Sequence, residues 1–177
     1  IFRTLGRSSH AIADIFAHSN FVELLCDYLR SDSAPPDARD SGLDAPEFLA
    51  RRPILIDEIE SEPEHEPFRK NFLPKLYSFQ SLPDIGPGSH EESNLDDPQA
   101  PGSTKEEYPG AFDAAMSLAV AHVGAAVDCL FEKLKSENPA KYELLINENR
   151  GEPPDENTPG PAERRAKWWS DMFDAWD

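Results

Sequence analysis

His10, Asp14 and His18 are the first residues in this 177-residue chain whose types and spacing suit chemistry. An imidazole, a carboxylate and an imidazole at i, i+4 and i+8 recur along one side of a helix, which is how helical-bundle metal centres present their ligands. Neighbours at i and i+4 can share one ion, whereas i and i+8 lie about 12 Å apart along the axis and cannot. One helix therefore supplies at most two ligands. His122, inside a second apolar helix, or Glu58 and Glu60 would have to complete the set. Asp14 and His18 fall on the flank of an apolar stripe rather than at its centre. A histidine within an apolar helix, such as His122, is ordinarily a hydrogen-bonded core residue. On these grounds we assign no metal ligand, no catalytic residue and no cofactor. A metal-dependent helical-bundle enzyme using His10, Asp14, His18 and His122 stands as the alternative reading.

The second cluster is acidic. Residues 57–66 carry Asp57, Glu58, Glu60, Glu62, Glu64, His65 and Glu66. The run lacks the ligand spacing and the turn glycine of a calcium loop. It reads as a solvated acidic face, with a docking patch for a Lys/Arg-rich partner as the second reading. No glycine-rich phosphate loop is present, since Gly86 and Gly88 flank a proline where amide donors are needed. There is also no G-x-S-x-G, C-x-x-C or H-E-x-x-H pattern in the chain.

Charge narrows the partners. Thirty-four acidic and seventeen basic residues give a formal charge of −17, which repels phosphate backbones and anionic lipid heads. Nucleic acid is excluded as a direct partner on this ground, and a protein with a basic surface fits. Cys26 and Cys129 each sit in an apolar helical stretch and are read as two buried thiols, a helix-to-helix disulfide being the alternative.

The elements that must carry these groups read as helices. Over 9–30, Ile12, Ile15, Phe16, Val22, Leu25, Cys26 and Leu29 follow helical spacing, and the Asn20/Glu23 capping-box pattern inside it leaves either one helix or two short ones broken near Ser19 and Asn20. Residues 32–46 read as a linker. Asp44 caps a short helix through Glu47, Phe48 and Leu49. Residues 54–59 fit a helical turn or a short strand. Phe68, Phe72, Leu76 and Phe79 line one side of a further helix kinked at Pro74. Residues 83–107 read as a long loop, unusual inside a compact domain.

The strongest helix is 110–137. Phe112, Met116, Ala119, Val123, Ala126, Val127, Leu130 and Leu134 form its stripe, and alanine fills most other faces, so it reads as central. It is long enough to span a bilayer, but Asp113, His122 and Asp128 interrupt it, and each charged group at depth costs about 2.5–3.5 kcal/mol. A buried helix is therefore expected rather than a membrane span. Pro139 opens a short helix with Tyr142, Leu145 and Ile146.

The last seventeen residues concentrate aromatic surface. Trp169, Met172, Phe173 and Trp176 lie at i, i+3, i+4 and i+7 beside Trp168, with aspartates around them. A stripe of this kind must be buried, on the chain's own body or in a partner's groove. Trp168, Trp169, Met172, Phe173 and Trp176 are the expected partner-binding residues.

Together these readings predict an all-α, irregular helical domain of about five to six helices around the Ala-rich helix 110–137, with long Pro-rich connections. The domain covers 1–148, with the 83–107 loop flexible or draped. A Pro-rich connector follows at 149–160, and an amphipathic aromatic and acidic helix at 161–177. The expected function is a non-catalytic interaction or structural subunit protein that docks on partner chains through extended arms and the terminal Trp/Phe helix. A secreted acidic effector or toxin is the further alternative. Ile1 in place of Met fits a processed chain, organellar or secreted, or a fragment.

Overall fold

The computed structural model describes residues 2–83, 89–95 and 108–143. Helix dominates, and the one β feature among the described residues is an isolated antiparallel bridge between Ser19 and Ser78. The chain is all-α and has one long central helix, as the periodicity predicts. The connector 149–160 and the segment 161–177 lie outside the described residues, as do 84–88 and 96–107 of the expected loop. The chain divides into a unit of Arg3–Ala125 and a unit of Ala126–Asp177.

In the first unit, the stretch that reads as one helix or two is two, α1 (Phe2–Ala17) and α2 (Phe21–Arg30), separated at residues 18–20. The capping box does not form. Asn20 makes no side-chain cap, and its amide instead donates to the Lys75 carbonyl (3.1 Å) and accepts from the Tyr77 amide (2.9 Å). Seven of the ten residues of α2 are buried: Phe21, Val22, Leu24, Leu25, Cys26, Tyr28 and Leu29. The other elements gather on this helix. At 25 cal/mol per Å2 of apolar surface, each large side chain so buried contributes about 1.5–3 kcal/mol.

The expected linker 32–46 contains α3 (Pro36–Asp40), because Pro36 is pre-set for a first helical turn and lacks the amide that would go unpaired there. Next comes α4 (Ala45–Arg51). Its Asp44 makes no cap bond, and its carboxylate pairs with the Arg30 guanidinium at 2.8 and 3.2 Å. The ambiguous run 54–59 resolves as α5 (Ile56–Ser61), with a 3-10 turn at Pro63–His65 and then α6 (Glu66–Asn71). Pro74 ends this helical run instead of kinking it. Residues Leu73–Lys75 tighten into a 3-10 turn, and Leu76, expected inside, is exposed. Phe16, Phe21, Phe68 and Phe72 form a continuous aromatic chain, with successive centroids between 5.6 and 6.0 Å apart.

Within the expected loop, α7 (His90–Ser93) is a capped turn. The Ser89 hydroxyl accepts from the Glu92 amide (3.3 Å), and the Leu95 amide donates to the Ala17 carbonyl (2.9 Å). Ser89 and Leu95 are both buried.

The long helix α8 spans Ala111–Glu137. It starts one residue later than the periodicity suggests, because Gly110 has φ +88° in a turn closed by the Ala111 amide on the Tyr108 carbonyl (2.9 Å). With Pro109 at the second position and a left-handed residue at the third, this is a type II turn. The buried face of α8 is Ala111, Ala114, Ala115 and Leu118, not the Phe112/Met116/Ala119/Val123 stripe. Two polar side chains turn it that way. The Ser117 hydroxyl donates to the Ala50 carbonyl near the end of α4 (2.9 Å), and His122 accepts the Ile56 amide at the start of α5 (2.8 Å). Short helices leave such terminal groups unpaired, and α8 satisfies them. Alanines on the same face permit the close approach these bonds require.

In the second unit α8 continues to Glu137, and residues 139–143 are again helical after Asn138. The Asn138 side chain accepts from the Lys141 amide (3.2 Å), and Phe131 meets the edge of Tyr142 with centroids 6.3 Å apart.

Candidate functional site

Asp14 brings together the residues that the sequence spaces along α1. Its Oδ1 lies 3.5 Å from His10 Nδ1 and 3.9 Å from His18 Nε2. The other nitrogen of His18 is engaged from elsewhere: Nδ1 lies 2.9 Å from Nε2 of His90, with the two rings stacked 4.9 Å apart at 15°. Two imidazoles at that separation share one hydrogen, so one nitrogen donates and the other accepts. The result is a polar chain running His10, Asp14, His18, His90. His90 is the member that the sequence reading missed. Its signal is Ser89 followed three residues later by Glu92, a capping box inside what otherwise reads as loop.

His122 does not join this chain. Its Nε2 accepts from the Ile56 amide and its Nδ1 donates to the Leu118 carbonyl (2.7 Å), while its ring packs 4.7 Å from Phe16. Both nitrogens are committed, and burial, partly offset by the Leu118 hydrogen bond, holds its pKa below the ordinary histidine value. His122 is a core histidine that caps a neighbouring helix. The constellation His10, Asp14, His18 and His122 is thus assembled only as far as its first three members.

Asp14 and His18 line an open groove of about 430 Å3, together with Ala11, Ile15, Ser19 and the segment Leu76, Tyr77, Ser78 and Gln80. Its serine hydroxyls are already engaged. Ser19 Oγ donates to the Ile15 carbonyl and accepts from the Phe21 amide (3.2 Å). Ser78 Oγ donates to the His18 carbonyl (3.3 Å) and accepts from the Gln80 amide (3.2 Å). His18 Nδ1 is turned to His90 instead. The rim is apolar and open to solvent: Ile15, Leu76 and Tyr77 are all exposed.

The second exposed apolar surface is on α8. Met116 is 51% and Val120 64% exposed within the first unit, and Leu130 is 40% exposed in the second. Cys129, expected as a buried thiol, is exposed and free, whereas Cys26 is fully buried and free. Burial pushes the Cys26 thiol up to about 12, with Arg30 lowering it only in part. By length and composition α8 could cross a membrane, with a mean hydropathy of 1.7 over its most apolar eighteen residues and 17% of that window buried. The expected partner-binding residues Trp168, Trp169, Met172, Phe173 and Trp176 lie outside the described residues.

Comparison with protein-family models, with curated proteins and with solved structures finds no match for the chain.

Proposed function

We propose that the chain is a non-catalytic interaction or structural subunit protein that docks on a partner protein through α8 and the terminal segment 161–177. The observation that carries this reading is the exposure of Met116 and Val120 beside the buried Ala114, Ala115 and Leu118 on one helix. A helix apolar on both faces has one face for its own core and a second that water solvates poorly. Residues 161–177 add a second apolar stripe, Trp169, Met172, Phe173 and Trp176. With a net charge of −17, the fitting partner presents an apolar groove rimmed by Lys and Arg.

A bilayer is the rival occupant, favoured by the hydropathy of α8. It is opposed by Asp113 and Asp128 within the helix and by the engagement of its first turns in the core. The test is co-purification of the tagged chain from its native source, run beside Val120→Lys and a deletion from Pro161. The expected result is one stoichiometric protein partner, lost from both variants while their melting midpoints match the parent. All three tryptophans lie in the terminal segment, so tryptophan emission reports on it alone. Quencher-protected, blue-shifted emission from the monomer, with a midpoint that falls on deletion, shows instead that the stripe is core. Flotation with vesicles, lost on Val120→Lys, overturns the protein-partner reading in favour of a membrane.

A further inference from the structure

We propose that Glu62, Glu64 and His65 form a binding site for one divalent transition cation of the zinc type, independent of the docking surfaces above. The chain turns here because Pro63 opens a 3-10 turn over Pro63–His65, with the His65 amide on the Glu62 carbonyl (3.2 Å). That turn brings one ligand atom from each of the three side chains within 4.8 Å of the others. Rotation of the two exposed glutamates closes these spacings to the about 3.3 Å between donors on a tetrahedral zinc, with water as fourth ligand.

The histidine carries the argument beyond a group of surface carboxylates. Its side chain is 4% exposed, and Nε2 faces Glu64 Oε1 at 3.8 Å, outside hydrogen-bond reach. Nδ1 faces the other way, 3.4 Å from the Tyr28 hydroxyl. That hydroxyl has one hydrogen, which it donates to the Glu64 carbonyl at 2.8 Å. Its oxygen is therefore left to accept from Nδ1–H, which places the imidazole lone pair on Nε2, toward the Glu64 carboxylate. A lone pair aimed at the Glu64 carboxylate is repulsive, and a cation between the two relieves it. The partner behind a ligating histidine that fixes its tautomer is a recurrent feature of zinc sites, and Tyr28 on α2 fills that place.

Arg69, the nearby cation, is held on the backbone carbonyls of Ile59 and Glu62 and braces the turn from outside the ligand set. One nitrogen and two carboxylate donors suit zinc and its first-row neighbours rather than calcium or magnesium, which take oxygen ligands. The sequence reading missed this site because it took 57–66 as a charge run and set His65 among its acids.

The experiment is titration of the chelator-treated full chain with Zn2+ alone, followed by calorimetry and by the melting midpoint, with Mg2+ and Ca2+ as controls. One equivalent of Zn2+ binds and raises the midpoint, and neither control ion does so. Glu62→Gln and Glu64→Gln change exposed side chains, keep the fold, and each weaken binding at least tenfold. Tyr28→Phe, which retains the ring and removes the hydroxyl, weakens it about ten- to a hundredfold. His18→Ala leaves the stoichiometry and affinity unchanged. Absence of zinc binding, or binding that survives both glutamine variants and disappears with His18→Ala, overturns the assignment.

Discussion

The backbone amide of Ile56 donates to Nε2 of His122 at 2.8 Å, so a side chain of α8 caps the first turn of α5. That bond needs the imidazole neutral, and burial favours the same state. His122 and His65 both have folded-state pKa values depressed below 6.5, in each case with burial as the largest cause. The unfolded chain therefore takes up protons first as pH falls. Their contribution to stability is complete above the ordinary histidine value and is lost as pH drops from about 6.5 toward the depressed folded values. The melting midpoint should fall between about pH 7 and pH 5. His122→Gln removes one of the titrating groups and should flatten that slope; an identical slope in the variant rules out the role given to His122.

The two thiols differ sharply in reactivity. Cys129 is exposed, whereas Cys26 is fully buried with a pKa of about 12, and the thiolate is the reacting species. A disulfide-exchange reagent applied to the native chain at mildly alkaline pH should consume one equivalent quickly. The second should react only as the protein unfolds. Two fast equivalents would contradict the packing of α2.

The two faces of α8 should respond oppositely to substitution. Leu118 is fully buried, and Leu118→Ala should cost about 2–5 kcal/mol through lost contact and a residual cavity. Val120, two positions on, points to solvent, and Val120→Lys should stay within about 0.5 kcal/mol of the parent. Urea denaturation of both variants checks the orientation of the helix, and a large loss at Val120 with none at Leu118 would reverse it.

Asn20 makes two side-chain bonds to the segment after α6. Asn20→Ala should destabilise by about 1–2 kcal/mol. Asn20→Asp keeps the acceptor for the Tyr77 amide and loses the donor to the Lys75 carbonyl, so it should fall between the two. Equal midpoints for parent and Asn20→Ala would mean that water replaces both bonds without loss.

What the sequence made legible follows from where the signal resides. The all-α class and the helical turn begun by Pro139 are properties of local pattern and were readable, though Leu145 and Ile146 lie outside the described residues; the capping-box pattern at Asn20 left one helix or two open between α1 and α2. The buried side of α8 was not, because a helix apolar on nearly every face carries little directional information. Its orientation depends on Ser117 and His122 finding backbone groups of α4 and α5, and those partners are sixty-six or sixty-seven positions away. His10, Asp14 and His18 were legible as a set from spacing alone, whereas His90 reaches His18 across seventy-two positions from a segment that reads as loop. His65 stands in plain view in the acidic run. Its meaning depends on Tyr28, which approaches from a different helix.

The stitch between residues 18–20 and 75–79 encloses the whole of α2 through α6 in one covalent span, with fifty-seven positions separating Asn20 from Tyr77. Joining the ends of a span that long costs about 3–4 kcal/mol of chain entropy. Contacts inside the span, such as those of Phe21 and Tyr28 with Phe68, repay chain ordering earlier than the seam does. The seam should therefore close after the rate-limiting step. In rapid-mixing experiments Asn20→Ala should steepen the loss through faster unfolding and leave refolding almost unchanged. A slowed refolding arm would place the seam in the nucleus. The groove of Asp14 and His18 borders this seam, so the surface that presents it should come open before the contacts of α2 with Phe68 are lost.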